Sequence, residues 1–434
     1  MIRLAAMATA SGENADSPAE NDNNLWHKCV QHPQATALVH SDDAALPAFG
    51  IRTTAVSILA SGEFDKPYRR QDLDGLRGVA VLLIIFLHYV SRSTYFSYLG
   101  PKPVALFLNS FWSGVDIFFV LSGFLIGGVI LDNSGAENFL RVFYLRRALR
   151  ILPVALLAIA FSYLILSVFY PYTLQDKQIP PYAYLLFINN FWTASGVDAY
   201  PPLGPMWSLA IEQQFYLVAP AFILLTGPRV RNVALLTVMS ISPLLRSYHL
   251  GFSPWDFTPL RLDGFSAGIL VAVLLRDARF RNLATQNRKA SNSITIGLML
   301  VAPLFSIFPE LSPGNQVALG ISLNSLAAAG MILFLQLNRG SMLSRALSQP
   351  WLVATGRFSY FLYLMHVPIM MYVTAAGLPG LTPPLAAFGL SLLCAWTSWR
   401  FLESPLIDIG KRVSYLEPRM PTGSDSPHQT VMGR

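Results

Sequence analysis

Long apolar runs, separated by short polar and basic segments, make up most of this chain beyond about residue 70. A helix needs about 17–25 mostly apolar residues to cross a hydrocarbon layer of about 30 Å. Runs of about that length predict spans near 76–92, 113–131, 148–170, 206–226, 232–247, 262–275, 293–308, 317–337, 357–375 and 384–402. The pattern therefore predicts an all-α, polytopic integral membrane protein with about ten transmembrane helices.

One further apolar stretch, residues 182–192, is too short to cross and would invert every later loop if it did. Prolines bracket it, at Pro180 and Pro181 before it and at Pro201 after it. Irregular backbone persists at membrane depth only where protein covers it. We therefore interpret the stretch near 182–193 as a re-entrant or interfacial segment.

The two ends of the chain differ in character from its apolar middle. Residues 1–65 are rich in small, polar and acidic side chains, and they lack periodicity and the basic start and apolar core of a signal peptide. They predict a disordered polar extension, although a start codon assigned too far upstream would give the same pattern. Residues 66–410 predict the membrane domain, and residues 411–434 predict a polar cytoplasmic tail.

The distribution of charge orients the predicted spans. Only 13% of the residues are charged against 53% hydrophobic, and the Lys and Arg residues behind the net charge of +7 fall largely between spans. Most of them lie on the side that holds both termini, which the positive-inside rule makes cytoplasmic. This placement explains the charge without a nucleic-acid partner. The two cysteines, Cys29 and Cys394, predict neither a disulfide framework nor a metal site.

Arg77 and His88 stand at the two ends of an apolar stretch in the first span. At about 100° and 1.5 Å per residue, their spacing puts them within about 20° of one helical face and about 16 Å apart. Ionisable residues inside a membrane span are costly, so the pair is a functional-site hypothesis. His88 could equally be a packed histidine that hydrogen-bonds between helices.

Two carboxylates join His88 when depth is counted from the outer ends of the spans. Asp116 lies near the outer end of the second span, and Glu212 lies about 9 Å inside the fourth. We therefore expect His88, Asp116 and Glu212 at one level in the outer leaflet, where acid and base groups can exchange protons. Pairing with arginine or capping of helix ends would explain both carboxylates equally well.

A different chemistry is predicted at the inner ends of the spans. Arg147 and Arg150 are three residues apart, share a helical face and lie close in depth to Arg77. Guanidinium forks bind phosphate oxygens. A ligand with phosphates here and a reactive end about 16 Å deeper would fit the spacing of Arg77 and His88, and coenzyme A has that shape. On composition alone, basic residues at the mouth of a span are more often topology anchors.

Two other patterns favour structural interpretations. His366 lies in mid-span beside Pro368, so we interpret it as a structural histidine in a kinked helix. The glycine-rich residues 121–128 are typical of close helix packing. Neither pattern adds a residue to the predicted site.

An ordered set of motifs resembles a known family. The set comprises residues 72–78, the Arg77 and His88 pair, and residues 114–125, 147–153, 207–216 and 359–368. Together these motifs resemble the membrane-bound acyltransferase-3 family, the O-acyltransferases of bacterial surface and secreted glycans, over about residues 68–410. Any one motif is weak evidence, whereas the ordered set is specific.

The resemblance implies a ten-span domain of the bacterial inner membrane. Such a domain takes an acyl group, usually acetyl, from cytoplasmic acyl-CoA and delivers it to a sugar hydroxyl at or beyond the outer face. The resemblance also implies that Arg77, His88, Arg147 and Arg150 are needed for activity. Some members carry a C-terminal periplasmic esterase-like domain. Here we expect the membrane domain, or a separate periplasmic partner, to complete the transfer.

Two classes of function fit these features. In an O-acetyltransferase, His88 acts as general base on the acceptor hydroxyl or as a transient acyl carrier, and Glu212 or Asp116 orients it. Acyl-CoA is then a donor substrate rather than a bound cofactor, and the acceptor is a glycan or glycolipid. A transporter or flippase would use the same residues as a proton or substrate path. Transporters commonly contain internal repeats, and no repeat links the two halves of this sequence, which favours the enzyme.

Overall fold

The computed structural model describes residues 70–91, 108, 110–164, 179–248, 251–307 and 316–416. Across those residues the chain consists of helices and turns, with no strand. The all-α prediction is therefore confirmed for this part of the chain. The predicted extension at residues 1–65 and most of the predicted tail lie outside the described residues.

The bounds of the helices follow the predicted apolar runs closely. The α-helices are α1 (Gln71–Phe86), α2 (Gly114–Asn133), α3 (Phe139–Leu164), α4 (Pro181–Leu185), α5 (Asn189–Ala194), α6 (Met206–Leu225), α7 (Pro228–Ser247), α8 (Leu262–Leu274), α9 (Ala278–Gln286), α10 (Arg288–Ile307), α11 (Gln316–Leu337), α12 (Met342–Leu347), α13 (Pro350–Thr374), α14 (Thr382–Ser398) and α15 (Ser404–Arg412). Two π-helical turns, Leu87–Ser91 and Trp399–Glu403, extend α1 and α14. Short 3₁₀ turns at Ser110–Ser113, Pro201–Leu203 and Thr258–Leu260 precede α2, α6 and α8.

Each predicted span coincides with one of these helices. Five stretches of the described chain are long and apolar enough to cross a bilayer: Ser110–Asn133, Phe139–Leu164, Met206–Leu225, Val317–Leu337 and Thr382–Arg412. The helix α8 is apolar but shorter, at 13 residues. Membrane helices are thus confirmed, whereas the count of ten crossings stays a prediction.

Large apolar side chains cover much of the surface of these helices. Leu156 on α3 is 51% exposed, and Leu217 and Leu225 on α6 are 67% and 85% exposed. Soluble proteins rarely expose contiguous apolar surface on this scale. The hydrocarbon layer of a membrane is the environment in which such faces are stable.

Helices α1 and α13 pack at backbone contact because glycines line their crossing. A Cβ atom on Gly356 would overlap the carbonyl oxygen of Asp74, and a Cβ atom on Gly78 would overlap that of Leu352. The backbones approach so closely only because these positions lack side chains. The crossing fixes α1, which carries Arg77, against α13.

The same two helices run parallel. Gly78 meets Gly356 near one end, and ten residues further along each helix His88 meets His366. An equal advance along both helices requires that they point in the same direction. The predicted order of ten spans also makes the first and ninth spans parallel, so the packing agrees with an odd number of crossings between them.

The glycine-rich stretch of α2 packs against α8, as the sequence predicts. Cβ atoms on Gly123 and Gly268 would overlap the carbonyl oxygens of Phe265 and Val120. The rings of Phe119 and Phe265 stack beside this contact, with centroids 4.7 Å apart. The contact fixes the position of α2, one wall of the candidate site.

The predicted re-entrant or interfacial segment forms two short helices, α4 and α5. The turn between them contains Phe187, whose φ is 54°. Neither helix is long enough to cross a bilayer. The side chain of Asn190 bonds Gln214 on α6 and Thr258 in the 3₁₀ turn before α8, at 2.8 Å each. The segment is therefore fixed against α6, and its depth in the membrane stays a prediction.

Candidate active site

A pocket opens between α1, α2, α3, α6 and α13. Its charged lining residues are Arg77 on α1, Arg147 and Arg150 on α3, and Glu212 on α6. The sequence predicts Glu212 at a different depth from the arginines. The structure instead brings all four residues into one pocket.

The protein neutralises the three guanidinium groups only weakly. Nη1 of Arg77 lies 3.6 Å from Oδ1 of Asp74, and the Arg77 side chain is 23% exposed. The guanidinium carbon of Arg147 lies 5.6 Å from the centre of the Tyr216 ring. Throughout the described ranges, no carboxylate forms an ion pair with Arg147 or Arg150. These groups can therefore bind an anionic ligand.

Glu212 is the carboxylate that faces the arginines. Its Oε1 accepts hydrogen bonds from the hydroxyl groups of Ser122 and Tyr216. Tyr216 lies one turn further along α6, and its ring also contacts Arg147. Hydroxyl, carboxylate and guanidinium groups thus form one connected polar network, in which each member restricts the position of its neighbours.

The pocket carries excess positive charge, because its three guanidinium groups face a single carboxylate. Arginine forks bind the oxygens of phosphates and carboxylates in pairs, and surroundings of low polarity strengthen that attraction. A polyanion with several phosphate oxygens fits this chemistry. In the described part of the chain, no group of three or more His, Cys, Asp or Glu side chains could hold a metal ion.

His88 lies outside this lining, in the π-helical turn that follows α1. Its Nδ1 is 2.9 Å from the carbonyl oxygen of Ile84 and 3.3 Å from Nε2 of His366. Turns of π-helix are rare and often occur at functional sites. The contact with His366 fits both a packed interhelical histidine and a functional one.

Tyr363 connects the histidine pair to the pocket. It lines the pocket from α13, its hydroxyl contacts Ser208 on α6, and its ring centroid lies 6.1 Å from that of His366. Glu212 lies one turn beyond Ser208, towards Arg147. The polar residues therefore form a line from the arginines through Glu212 and Tyr363 to the histidines.

Asp116 belongs to a different cluster. Its Oδ1 lies 2.6 Å from Nη2 of Arg261, and both side chains are 1% exposed. A second ion pair, between Arg246 and Asp263 at 2.7 Å, joins the neighbouring helices α7 and α8. Asp116 is thus paired with an arginine, which is the structural alternative that the sequence leaves open for it.

The structure does not bring Asp116 to the level of Glu212, as the sequence predicts. Ser122, which contacts Glu212, lies six residues beyond Asp116 on α2, so about 9 Å of helix separates the two carboxylates. Depth counted from the ends of apolar runs assumes that every helix starts at the same plane. A 3₁₀ turn precedes α2 and the packed segment 179–205 precedes α6, so their starts differ.

The hydroxyl groups that the sequence interpretation missed include those of Ser122, Tyr216 and Tyr363. Ser122 lies in the glycine-rich stretch that predicts packing. The spacing contained a signal for the other two, since Tyr216 follows Glu212 by four residues and Tyr363 precedes His366 by three. Residues at these separations share a helical face.

The fold and the site define a class of protein, a helical membrane protein whose helices enclose an arginine-rich pocket near a histidine pair. Comparison with family models narrows the class further. Residues 70–402 match the model described as an acyltransferase domain. The match covers most of the chain, so the chain belongs to the acyltransferase-3 family, as its motifs predict.

Curated relatives of the chain are O-acetyltransferases by name. The O-acetyltransferase OatA of Staphylococcus aureus (strain NCTC 8325 / PS 47) is 28% identical over 355 residues, which are 77% of this chain and 56% of that protein. The peptidoglycan O-acetyltransferase OatA of Listeria monocytogenes is 28% identical over 364 residues, 77% of this chain and 55% of that protein. The chain thus spans about half the length of these relatives. No solved structure matches it significantly.

Proposed function

We propose that this protein is a membrane O-acetyltransferase that moves an acetyl group from cytoplasmic acyl-CoA to a hydroxyl of an exported glycan. The observation that carries the proposal is the convergence of Arg77, Arg147 and Arg150 with Glu212 in one pocket that leads towards His88. Membership of the acyltransferase-3 family supports the reaction class. The family match lends no support to a transporter or flippase.

Arg147 and Arg150 bind the phosphates of the donor. They line the pocket from one face of α3, and their planar forks complement phosphate oxygens. Arg77 contributes a third positive charge from α1. The separation of Arg77 and His88 along that helix, about 16 Å, suits an extended pantetheine arm between the phosphates and the thioester.

His88 acts as general base at the other end of the donor. It removes the proton of the acceptor hydroxyl while the hydroxyl oxygen attacks the thioester carbonyl carbon. The carbon–sulfur bond then breaks, an ester forms, and the His88 imidazolium returns the proton to the thiolate of CoA. A transient acyl-histidine would need the same residue, with acylation and deacylation as separate steps.

The acceptor is a glycan or glycolipid that approaches from the His88 end of the line of polar residues. The name of one relative supports a glycan, because the Listeria protein is named for peptidoglycan. The predicted topology puts this end outside and both termini in the cytoplasm. The transfer is then completed by the membrane domain or by a separate periplasmic partner.

Acetyl transfer by the purified full-length protein in liposomes tests the proposal. The assay supplies acetyl-CoA and a cell-wall glycan fraction, and it measures both CoA release and new acetyl esters on the glycan. We expect His88→Ala to lower the transfer rate by about 10²–10⁴-fold, the usual contribution of a general base. Cys394→Ser serves as the control for a change elsewhere in the bundle. Absence of acetyl-CoA-dependent ester formation by the wild-type protein contradicts the proposal.

Cysteine labelling tests the direction of transfer. Ser195 and Asp198 are exposed in the loop after α5, which the proposal puts on the acceptor side. Cysteines introduced at these two positions, in a background with Cys29 and Cys394 replaced, should react with a membrane-impermeant thiol reagent added to intact spheroplasts. Labelling only after permeabilisation would mean that this loop lies in the cytoplasm, which contradicts the proposed direction of transfer.

A further inference from the structure

We propose that His366 is a positioning residue that holds His88 in the tautomer required of a general base. The inference rests on the proposed function, because it gives His366 a role in the same acyl transfer. The two imidazole rings meet where α1 and α13 run side by side, with centroids 5.0 Å apart. Nδ1 of His88 lies 3.3 Å from Nε2 of His366.

The helix that carries His366 determines which of its nitrogens bears the hydrogen. Nδ1 lies 3.0 Å from the carbonyl oxygen of Leu362 and 2.8 Å from that of Tyr363. Carbonyl oxygens only accept hydrogen bonds, so Nδ1 donates and carries the hydrogen. In the neutral ring Nε2 is then an acceptor, and this is the nitrogen beside His88.

The same reasoning assigns the tautomer of His88. Its Nδ1 lies between two acceptors, the carbonyl oxygen of Ile84 at 2.9 Å and Nε2 of His366 at 3.3 Å. A ring nitrogen between two acceptors carries the hydrogen and donates to both. The lone pair of the neutral ring is then on Nε2 of His88, the nitrogen that can take a proton from a hydroxyl.

His366 can orient His88 because the surrounding helices hold it rigidly. Its side chain is fully buried, and its backbone carbonyl accepts a hydrogen bond of 2.9 Å from the Tyr89 hydroxyl. His88, in contrast, is half-buried in a π-helical turn. A rigid group that hydrogen-bonds the far nitrogen of a catalytic base is how enzymes fix its tautomer and orientation.

Two substitutions at His366 separate positioning from packing. His366→Gln keeps an acceptor oxygen near the place of Nε2, whereas His366→Phe keeps the ring volume and removes both nitrogens. Ser391→Ala is the matched control, because it removes a neighbouring hydrogen bond without touching either imidazole. Each variant is assayed in liposomes for kcat and for the KM of acetyl-CoA.

We expect His366→Phe to lower kcat by about tenfold, less than loss of the base itself because the Ile84 carbonyl still accepts from Nδ1. The KM for acetyl-CoA should stay within about twofold, His366→Gln should retain most of kcat, and Ser391→Ala should match the wild type. A wild-type kcat in His366→Phe overturns the positioning role. An equal loss in His366→Gln and His366→Phe also overturns it, because packing would then explain the defect.

A spectroscopic measurement tests the tautomer without depending on activity. Solid-state NMR of the full-length protein with ¹⁵N-labelled histidine resolves the tautomers, and His88→Ala identifies the His88 signals. We expect hydrogen on Nδ1 of neutral His88 in the wild type, and a shift towards the other tautomer in His366→Phe. Hydrogen on Nε2 of His88 in the wild type overturns the inference. Failure of the proposed function is distinct, since it would be seen as no acetyl-CoA-dependent transfer whatever the tautomer.

Discussion

Two groups of buried charge in this protein have opposite character. The pocket group comprises Arg77, Arg147, Arg150 and Glu212, with three guanidinium groups for one carboxylate. The ion-pair group comprises Asp116, Arg261, Arg246 and Asp263, with each charge matched at 2.6 to 2.7 Å. The side chains of the second group are almost fully buried, whereas those of the first border an open volume.

The difference distinguishes charges that are available to bind a ligand from charges that pair with one another within the fold. In a buried pair each charge offsets part of the desolvation cost of the other, and removal of one partner leaves the other uncompensated. Guanidinium groups that gather around a pocket repel one another, so a ligand is the most direct reason for their presence. Motif position alone does not make this distinction, since Asp116 and Glu212 both lie in motifs of the same family resemblance.

Breaking an ion pair should have the largest effect on stability. Asp116→Ala leaves Arg261 buried without its carboxylate, and we expect the free energy of unfolding to fall by about 3–5 kcal/mol. Denaturant titration in detergent measures the change. The double variant Asp116→Leu/Arg261→Met removes both charges and should recover much of the loss. If Asp116→Ala lowers acetyl transfer without lowering stability, Asp116 belongs with the catalytic residues instead.

Charge-conserving changes in the pocket group should affect binding rather than stability. Arg147→Lys and Arg150→Lys keep the charge and lose the fork, so we expect CoA affinity to fall by about tenfold in each. Arg146→Lys is the matched control on the same helix, because Arg146 bonds the carbonyl oxygens of Gly410 and Val413 and does not line the pocket. Titration calorimetry measures the CoA affinity of the pocket variants and of the control. Unchanged CoA affinity in the two pocket variants would mean that Arg147 and Arg150 are topology anchors.

Loss of one hydroxyl from the pocket network should have a smaller effect. Tyr216→Phe removes a hydrogen bond to Glu212, and a bond worth about 1 kcal/mol corresponds to about a fivefold loss in CoA affinity or transfer rate. Tyr144→Phe is the control, because the Tyr144 hydroxyl bonds the carbonyl of Leu217 away from the pocket. Equal effects of the two changes would mean that the network does not support the site.

The smallest effect concerns Asp256, in the loop between α7 and α8. Burial raises the pKa of the Asp256 carboxyl, and a hydrogen bond with Ser253 opposes the rise only in part. Folding then favours the protonated acid, so its stabilisation is present at low pH and is lost as pH rises through the folded-state pKa. The thermal midpoint of the wild type should therefore fall relative to Asp256→Asn as pH rises. Asp198→Asn, an exposed change, is the control, and parallel curves for wild type and Asp256→Asn would contradict the expectation.

The sequence predicts the helices well because apolar length and membrane thickness constrain them directly. The glycine-rich stretch of α2 also predicts its close packing correctly, since only a residue without a Cβ atom permits such an approach. The pairing of Arg77 with Arg147 and Arg150 follows from depth, because all three lie near the inner ends of the predicted spans 76–92 and 148–170.

Contacts between distant helices could not be predicted from the sequence. The meeting of Glu212 with Ser122 depends on the axial offset between α6 and α2, which no apolar run encodes. His366 looks structural beside its proline, and only the parallel packing of α1 and α13 brings it to His88. Such long-range register is set by tertiary packing rather than by local pattern.

The position of bound CoA tests the central distinction most directly. An experimental structure of the full-length protein with CoA should show its phosphates against Arg147 and Arg150 and its thiol directed towards His88. It should also show the Asp116 and Arg261 pair unchanged and without contact to the ligand. CoA bound outside the pocket, or with its phosphates on the histidine side, would contradict the assignment of the two groups of charge.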